Sequence, residues 1–239
     1  MKYLALLSGL QQIPVVNTEA KGKVQVKLEE NYLSVKGHFE SLSSPLVASH
    51  FHHSGVGSNI LPIEFELHPT LSADGKSGTW NEKIPTHKKQ KLTEEEKEAL
   101  RTGNYYINVH SQDHLFTGEI RGQLLPYVKC GSQYISNLRD GEREIGTFLA
   151  SLNKNILTIS GAFSHLTSLF VSLSINLDEV VVFGLNVNVD VPAASGTASR
   201  HDNRFCLSST QYEALENNLL QLVLTTQSSQ ISDPLLRLL

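Results

Sequence analysis

Three histidines stand in the four positions 50–53, within the stretch Ala48-Ser-His-Phe-His-His-Ser-Gly55. His50 and His52 are separated by one residue. On an extended strand both rings leave the same face, roughly 6–7 Å apart along the chain. Two imidazoles so placed can share one metal ion. His110, at the end of the strand-like run Tyr-Tyr-Ile-Asn-Val-His (105–110), offers a third ligand. An all-imidazole set suits copper, or zinc, with copper higher in the affinity order. His53 and His114 are candidates for an additional ligand, as are His68 and His87, and the sequence does not choose among them. Glu119 and Arg121 also share a face by their spacing. Behind the metal, Glu119 could orient a ligand imidazole while Arg121 steers an anion. The same two residues also read as a simple charge pair on a terminal strand. No catalytic motif accompanies them: G-x-S-x-G, a phosphate loop, a dinucleotide fingerprint and a zinc-type C-x-x-C are all missing from the sequence.

The elements that would position these side chains occur twice. "GKVQVKLEENYLSVKGHFESL" from Gly22 aligns without a gap on "GTFLASLNKNILTISGAFSHL" from Gly146. In each, apolar alternation leads into a polar turn and a second strand, the pattern of a β-hairpin. A later block, "LTEEEKEALRTGNYYINVH", aligns on "LSSTQYEALENNLLQLVLT". Thr93 with Glu96, and Ser208 with Gln211, form capping boxes, so a short helix precedes a strand in both copies. Gly103 stops the first helix, and Asn217 or Asn218 the second. The segments 63–67, 77–84 and 180–189 alternate as further strands. The expected architecture is all-β: two tandem antiparallel sandwich- or barrel-like domains, residues 1–127 and 128–239, each with one short helix. Trp80, Phe39 and Phe163 are expected in the cores.

The repeat also supplies an internal control. His50 aligns with Ser174, His52 with Asn176 and His110 with Thr225. The scaffold residues recur and the three histidines do not, so the first copy is expected to carry the site and the second to support it. His38, His165 and His201 read as surface residues.

Composition bounds the rest. With 239 residues, 40% hydrophobic and 18% charged, the chain is of a folded class. A net charge of −4 gives no reason to expect nucleic acid as a partner. No apolar run is long enough for a membrane span. The start "MKYLALLSGL" reads as a first strand, since no small-x-small cleavage site follows it. Cys130 and Cys206 could pair in an oxidising compartment or remain free thiols.

The succession "ALLSGLQQIPVVNTEAKGKVQVKL", "LSVKGHFESLSSPLVASHFHHSG", "SGTW", "LTEEEKEALRTGNYYINVHS" and "TGEIRGQLLP" resembles the CHRD domain, the repeat named for chordin. It covers nearly all of residues 3–125. The second half resembles a degenerate copy that ends in "SDPLLRLL" where "TGEIRGQLL" would stand. The resemblance implies an exported, β-rich domain, secreted, periplasmic or at the cell surface, with any signal peptide removed. It implies no activity. Locally, His-x-His on one strand with a later Val-His is similar to the copper half of the Cu/Zn superoxide dismutases, although their bridging histidine and zinc loop have no clear counterpart here. Three functions therefore stand open. One is metal binding, copper or zinc, by the first domain. The second is a non-enzymatic extracellular module for a protein partner or homodimer. The third is a redox enzyme acting on superoxide.

Overall fold

The structure, a computed structural model, describes every residue except 30–31, 58–62, 86–91, 128–130, 192 and 239. The described chain is mostly strand, with two short α-helices. It divides into two compact units, Met1–Tyr127 and Val128–Leu239.

In the first unit the strands are β1 (Lys2–Ser8), β2 (Lys21–Leu28), β3 (Tyr32–Glu40), β4 (Leu46–His53), β5 (Ile63–Glu66), β6 (Thr70–Leu71), β7 (Gly78–Pro85), β8 (Tyr105–Ser111), β9 (Ile120–Gln123) and β10 (Leu125–Pro126). All belong to one curled antiparallel sheet in the order β5-β4-β8-β9-β1-β2-β3-β7-β6, with β10 also on β1. Alternation sends Ala5, Leu7, Val24, Val26, Val35, Phe51, Ile107, Val109 and Ile120 into one core with Phe39 and Trp80. The curl brings β7 near β4 through that core, where the Trp80 indole donates to Ser49 Oγ at 3.4 Å. Helix α1 (Glu94–Thr102) starts at the expected Thr93–Glu96 capping box and stops at Gly103, whose φ of 79° is left-handed.

The second unit holds β11 (Ser132–Asp140), β12 (Arg143–Asn153), β13 (Ile156–Phe163), β14 (Phe170–Leu177), β15 (Val180–Gly184), β16 (Asn188–Val189), β17 (Gly196–Ala198), β18 (Arg204–Cys206), β19 (Gln221–Thr226), β20 (Gln230–Pro234) and β21 (Leu236–Leu238). Helix α2 (Ser209–Glu216) opens at the Ser208–Gln211 capping box and is capped at its end by Asn217. Segment 180–189, expected as one strand, is two. Asn203 breaks it by accepting from the Asn186 amide at 2.7 Å and donating to the Asn186 carbonyl at 2.9 Å, so the chain leaves β15 and re-pairs as β16. Cys206 lies exposed on β18. Its pairing with Cys130 falls outside the described residues.

The strand registers reproduce the sequence repeat. Gly22 pairs with Phe39 and Gly146 with Phe163. Ala48 pairs with His110, and Ser172 with Thr225. Register shifts also coincide. One lies between Leu46 and Ala48 and recurs between Phe170 and Ser172. The other, between Phe51 and His52, recurs between Ile175 and Asn176. Two differences stand out. Residues 9–20 join β1 to β2 and include a short 3-10 turn (Gly9–Gln11), whereas β11 turns directly into β12. The second unit is also split, its β14, β15, β19 and β20 forming a separate sheet.

The split has a local cause. In the first unit β9 lies beside β1, and Gly122 makes this approach possible. A Cβ there would stand 2.6 Å from the Leu6 carbonyl oxygen. By register Asp233 occupies the matching place on β20, opposite Leu222 as Gly122 is opposite Ile107. Its carboxylate accepts from the Asn137 amide at 2.9 Å and from Ser136 Oγ at 3.1 Å. A side chain thus takes the β11 donor that a neighbouring strand would otherwise use.

Candidate metal centre

The face of β4, β8 and β9 that turns away from the core is buried as well, and it is polar. Every residue of β8 is buried. Ile107 and Val109 serve the core, which leaves Tyr106, Asn108 and His110 for the opposite side. Cross-strand pairing sets His50 opposite Asn108, His52 opposite Tyr106, and Asn108 opposite Arg121. Residues directly opposite lie about 4.5–5.5 Å apart at Cβ, so this side-chain layer is continuous.

Within it His50, His52 and His110 converge. One ring nitrogen from each lies within 4.8 Å of the other two. The His50 ring is 5.2 Å from that of His110 and 5.7 Å from that of His52, centroid to centroid. An ion at the centre of a nitrogen triangle with 4.8 Å sides is about 2.8 Å from each corner, against about 2.0–2.1 Å in a metal–imidazole bond. Small ring rotations would close that gap.

The ring environments suit neutral ligands. His110 Nδ1 lies 2.9 Å from the Leu115 carbonyl oxygen. That contact places the proton on Nδ1 and leaves the Nε2 lone pair open. Among the described residues Nε2 itself is buried with no hydrogen-bond partner, as is His50 Nδ1. Burial, the largest cause, lowers the pKa of both His50 and His110 from the ordinary 6.5. The positive charge of His50 lowers His110 further, while Glu66 partly opposes the shift at His50. Both rings are thus neutral near pH 7 and can bind a cation without first losing a proton. The buried nitrogens without partners would each cost stability unless something supplies a counterpart.

The remaining layer holds the rings in place. The His52 ring stacks on Tyr106 at 4.9 Å and 14°, and the Arg121 guanidinium lies 3.7 Å over the same Tyr106 ring. Arg121 also donates to Gln123 Oε1 at 3.1 Å and to the Gly55 carbonyl at 3.2 Å. Gln123 Nε2 reaches the carbonyls of Ser54 and Gly103. Asn108 accepts from Gln12 at 2.6 Å and donates to the Thr117 carbonyl. Gly118 (φ 87°) keeps the covering loop close, because a Cβ there would lie 2.2 Å from Asn108 Oδ1. Loops 9–20, 54–57 and 112–118 are thereby tied onto the layer.

Several sequence expectations fall elsewhere. Glu119 does not orient an imidazole through its observed hydrogen bonds. Its carboxylate accepts from Thr18 at 2.6 Å and from the Ser43 amide and hydroxyl at 2.9 Å, pinning two loops to the start of β9. Burial would raise its pKa, and these hydrogen bonds overcome that and lower it. The ring partner is the Leu115 carbonyl, which no residue pattern announces. Arg121, 1% exposed, is packed against Tyr106 rather than presented to an incoming anion. Strand alternation puts His53 on the other side from His50 and His52, stacked on Tyr105. Among the described residues His114 is not part of the three-ring cluster. His68 sits between Glu66 and Glu82 at 3.7 and 3.6 Å. His87 lies outside the described residues. Sequence reasoning missed Tyr106, Asn108, Gln11, Gln12 and Gln123. For Tyr106 and Asn108 the signal was present in β8, where polar residues alternate with apolar ones in a strand that carries both a core face and a site face.

Among the described residues, no helix is long and apolar enough to cross a membrane. No curated protein and no solved structure gives a match to the chain. The family model for the CHRD domain matches residues 3–124, the span that contains the curled sheet, its core and all three converging histidines. CHRD domains are typically extracellular. The chain belongs to the CHRD domain family.

Proposed function

We propose that the first unit is an extracellular module that binds one transition-metal ion, copper ahead of zinc, through His50, His52 and His110. The observation that carries this reading is the convergence of three imidazole nitrogens within 4.8 Å, with His50 Nδ1 and His110 Nε2 buried and without partners among the described residues. Three imidazole nitrogens fit borderline cations better than calcium or magnesium, which prefer oxygen. The residues at the matching places of the second unit are Ser174, Asn176 and Thr225, a set with no imidazole. Titration of the metal-free chain with copper(II) and with zinc(II) tests the reading. The expected result is one equivalent bound, with affinity lowered at least a thousandfold in H50A/H52A/H110A, about 4 kcal/mol. Equal binding by the variant would overturn it.

Dismutation of superoxide is a narrower version of the same reading. It requires the ion to be redox-active and to keep an open coordination position. A chain that binds copper yet leaves superoxide decay unchanged would limit the function to binding. A second reading, a module for an extracellular protein partner or a second copy of itself, draws on the second unit, where Val171, Val180 and Val181 are more than half exposed on neighbouring strands.

A further inference from the structure

Away from the metal site, the outer side of β1, β2, β3 and β7 in the first unit collects lysine. Pairing sets Lys2 directly opposite Lys27, Gln25 opposite Lys36, Lys23 opposite His38, and Ser34 opposite Lys83. Val24, Val26 and Val35 point the other way, into the core. Lys2, Lys21, Lys23, Lys27, Lys36 and Lys83 are thus presented on one surface of a chain whose net charge is −4. Among the described residues two carboxylates answer them: Glu40 lies 3.5 Å from Lys21, and Glu29 lies 2.6 Å from Lys27. Like charges directly opposite on neighbouring strands are destabilising; Glu29 offsets the charge of Lys27, while Lys2 and Lys36 have no ion pair among the described residues. Beside the Lys2–Lys27 pair is a recess of about 290 Å³ whose lining includes Lys2, Lys27, Lys36, Gln25 and Ser34, together with the Glu29 carboxylate that pairs with Lys27. Ammonium, amide and hydroxyl groups there are the donors that a tetrahedral oxyanion takes.

We propose that this surface binds a linear sulfated polysaccharide, with one sulfate group seated in the recess between Lys2, Lys27 and Lys36. From Lys21 to Lys27 the strand runs about 20 Å, and β1 to β7 spans about 14 Å at the usual strand spacing. That extent suits a chain carrying repeated charges better than a single ion. At the matching places the second unit has Ile145 for Lys21, Thr147 for Lys23, Ser151 for Lys27 and Ser160 for Lys36. The charged surface is therefore a property of the first unit and not of the shared fold.

The probe is dextran sulfate of defined length, with unsulfated dextran as control, titrated into the full chain at low and physiological salt. Variant K2Q/K23Q/K36Q should bind at least tenfold more weakly, with a salt dependence shallower by roughly one unit of slope per lysine engaged. K154Q/R139Q/R143Q removes as much charge from exposed positions of the second unit and should stay within twofold. Thermal melts verify that both variants are folded. Equal weakening of the two variants would overturn the proposal, and so would wild-type binding no tighter to the sulfated than to the unsulfated polymer. Lysine-dependent binding of phosphatidylserine vesicles with dextran sulfate ignored would assign the surface to membranes instead. The titration uses metal-free protein, so its failure leaves the histidine site untouched.

Discussion

At one rung of the first unit His50 faces Asn108; at the matching rung of the second, Ser174 faces Val223. The next rung pairs His52 with Tyr106 in one and Asn176 with Gln221 in the other. The strands, their registers and both of their bulges are the same. Bulges often lie beside functional sites and re-aim side chains there. Here both also occur in the unit without histidines, so they belong to the scaffold. What separates the units is how the second buried layer is built and covered. In the first, Arg121, Gln123, Asn108 and the imidazoles are covered by residues 9–20 and 112–118. In the second, β11 turns tightly into β12 and Asp233 parts β20 from β11. Burying a polar layer is costly unless it is fully hydrogen-bonded. At the matching places of the second unit Ser174 and Asn176 are buried as well, Ser174 Oγ donating to Asn176 Oδ1 at 2.8 Å, so what the first unit adds is the imidazole set and the Arg121–Gln123 network around it.

That contrast can be broken at several points. The largest effect is expected from Arg121→Leu, which strips partners from the Gly55 carbonyl and Gln123 and unstacks Tyr106. It should destabilise the first unit by about 3 kcal/mol, the scale of disrupting a buried charged network. Ser232→Ala at the matching, exposed position should cost within about 0.5 kcal/mol in the same denaturant titration. If the two costs were alike, the layer would not be what distinguishes the units.

Grafting sharpens the point. S174H/N176H/T225H places three imidazoles on equivalent strands, but with Val223 in place of Asn108 and Ser232 in place of Arg121. Unsupported rings hold ions poorly. In a chain that also carries H50A/H52A/H110A, the graft should bind copper at least a hundredfold more weakly than the native site. Native-like affinity would show that strand register alone suffices. A smaller change is expected from Asp233→Ala, which removes the carboxylate that accepts from the Asn137 amide and from Ser136 Oγ. It should cost about 1–2 kcal/mol and act on the second unit alone.

The smallest expected effect is on pH dependence. His50 and His110 have folded-state pKa values below 6.5, chiefly through burial. As pH falls through 6.5 the unfolded chain takes up protons first, so stability is full above 6.5 and drains away below it. The melting temperature of metal-free protein should slope downward between pH 6.5 and 5, and H50A/H110A should flatten that slope. An unchanged slope would mean these two rings are protonated as readily folded as unfolded.

Much of this organisation could be read from residue patterns. The hairpins and the two capped helices follow from alternation and from a repeat whose two blocks each align without a gap, and alternation puts residues 50 and 52 on one face. Other features could not be read, because they depend on what lies across the sheet. Leu115 contributes a backbone carbonyl, which carries no side-chain signature. Glu119 and Arg121 have the spacing of cooperating residues, yet Glu119 bonds to loop residues while Arg121 stacks on an aromatic ring. Gly122 and Asp233 decide between one sheet and two through a strand contact that no local pattern contains.

X-ray absorption at the copper edge, on the 239-residue chain loaded with one equivalent, tests the central claim most directly. The account predicts a single site with three imidazole nitrogens at about 2.0 Å and loss of that signature in H50A/H52A/H110A. An oxygen-dominated shell, or the same imidazole shell in the variant, would contradict it.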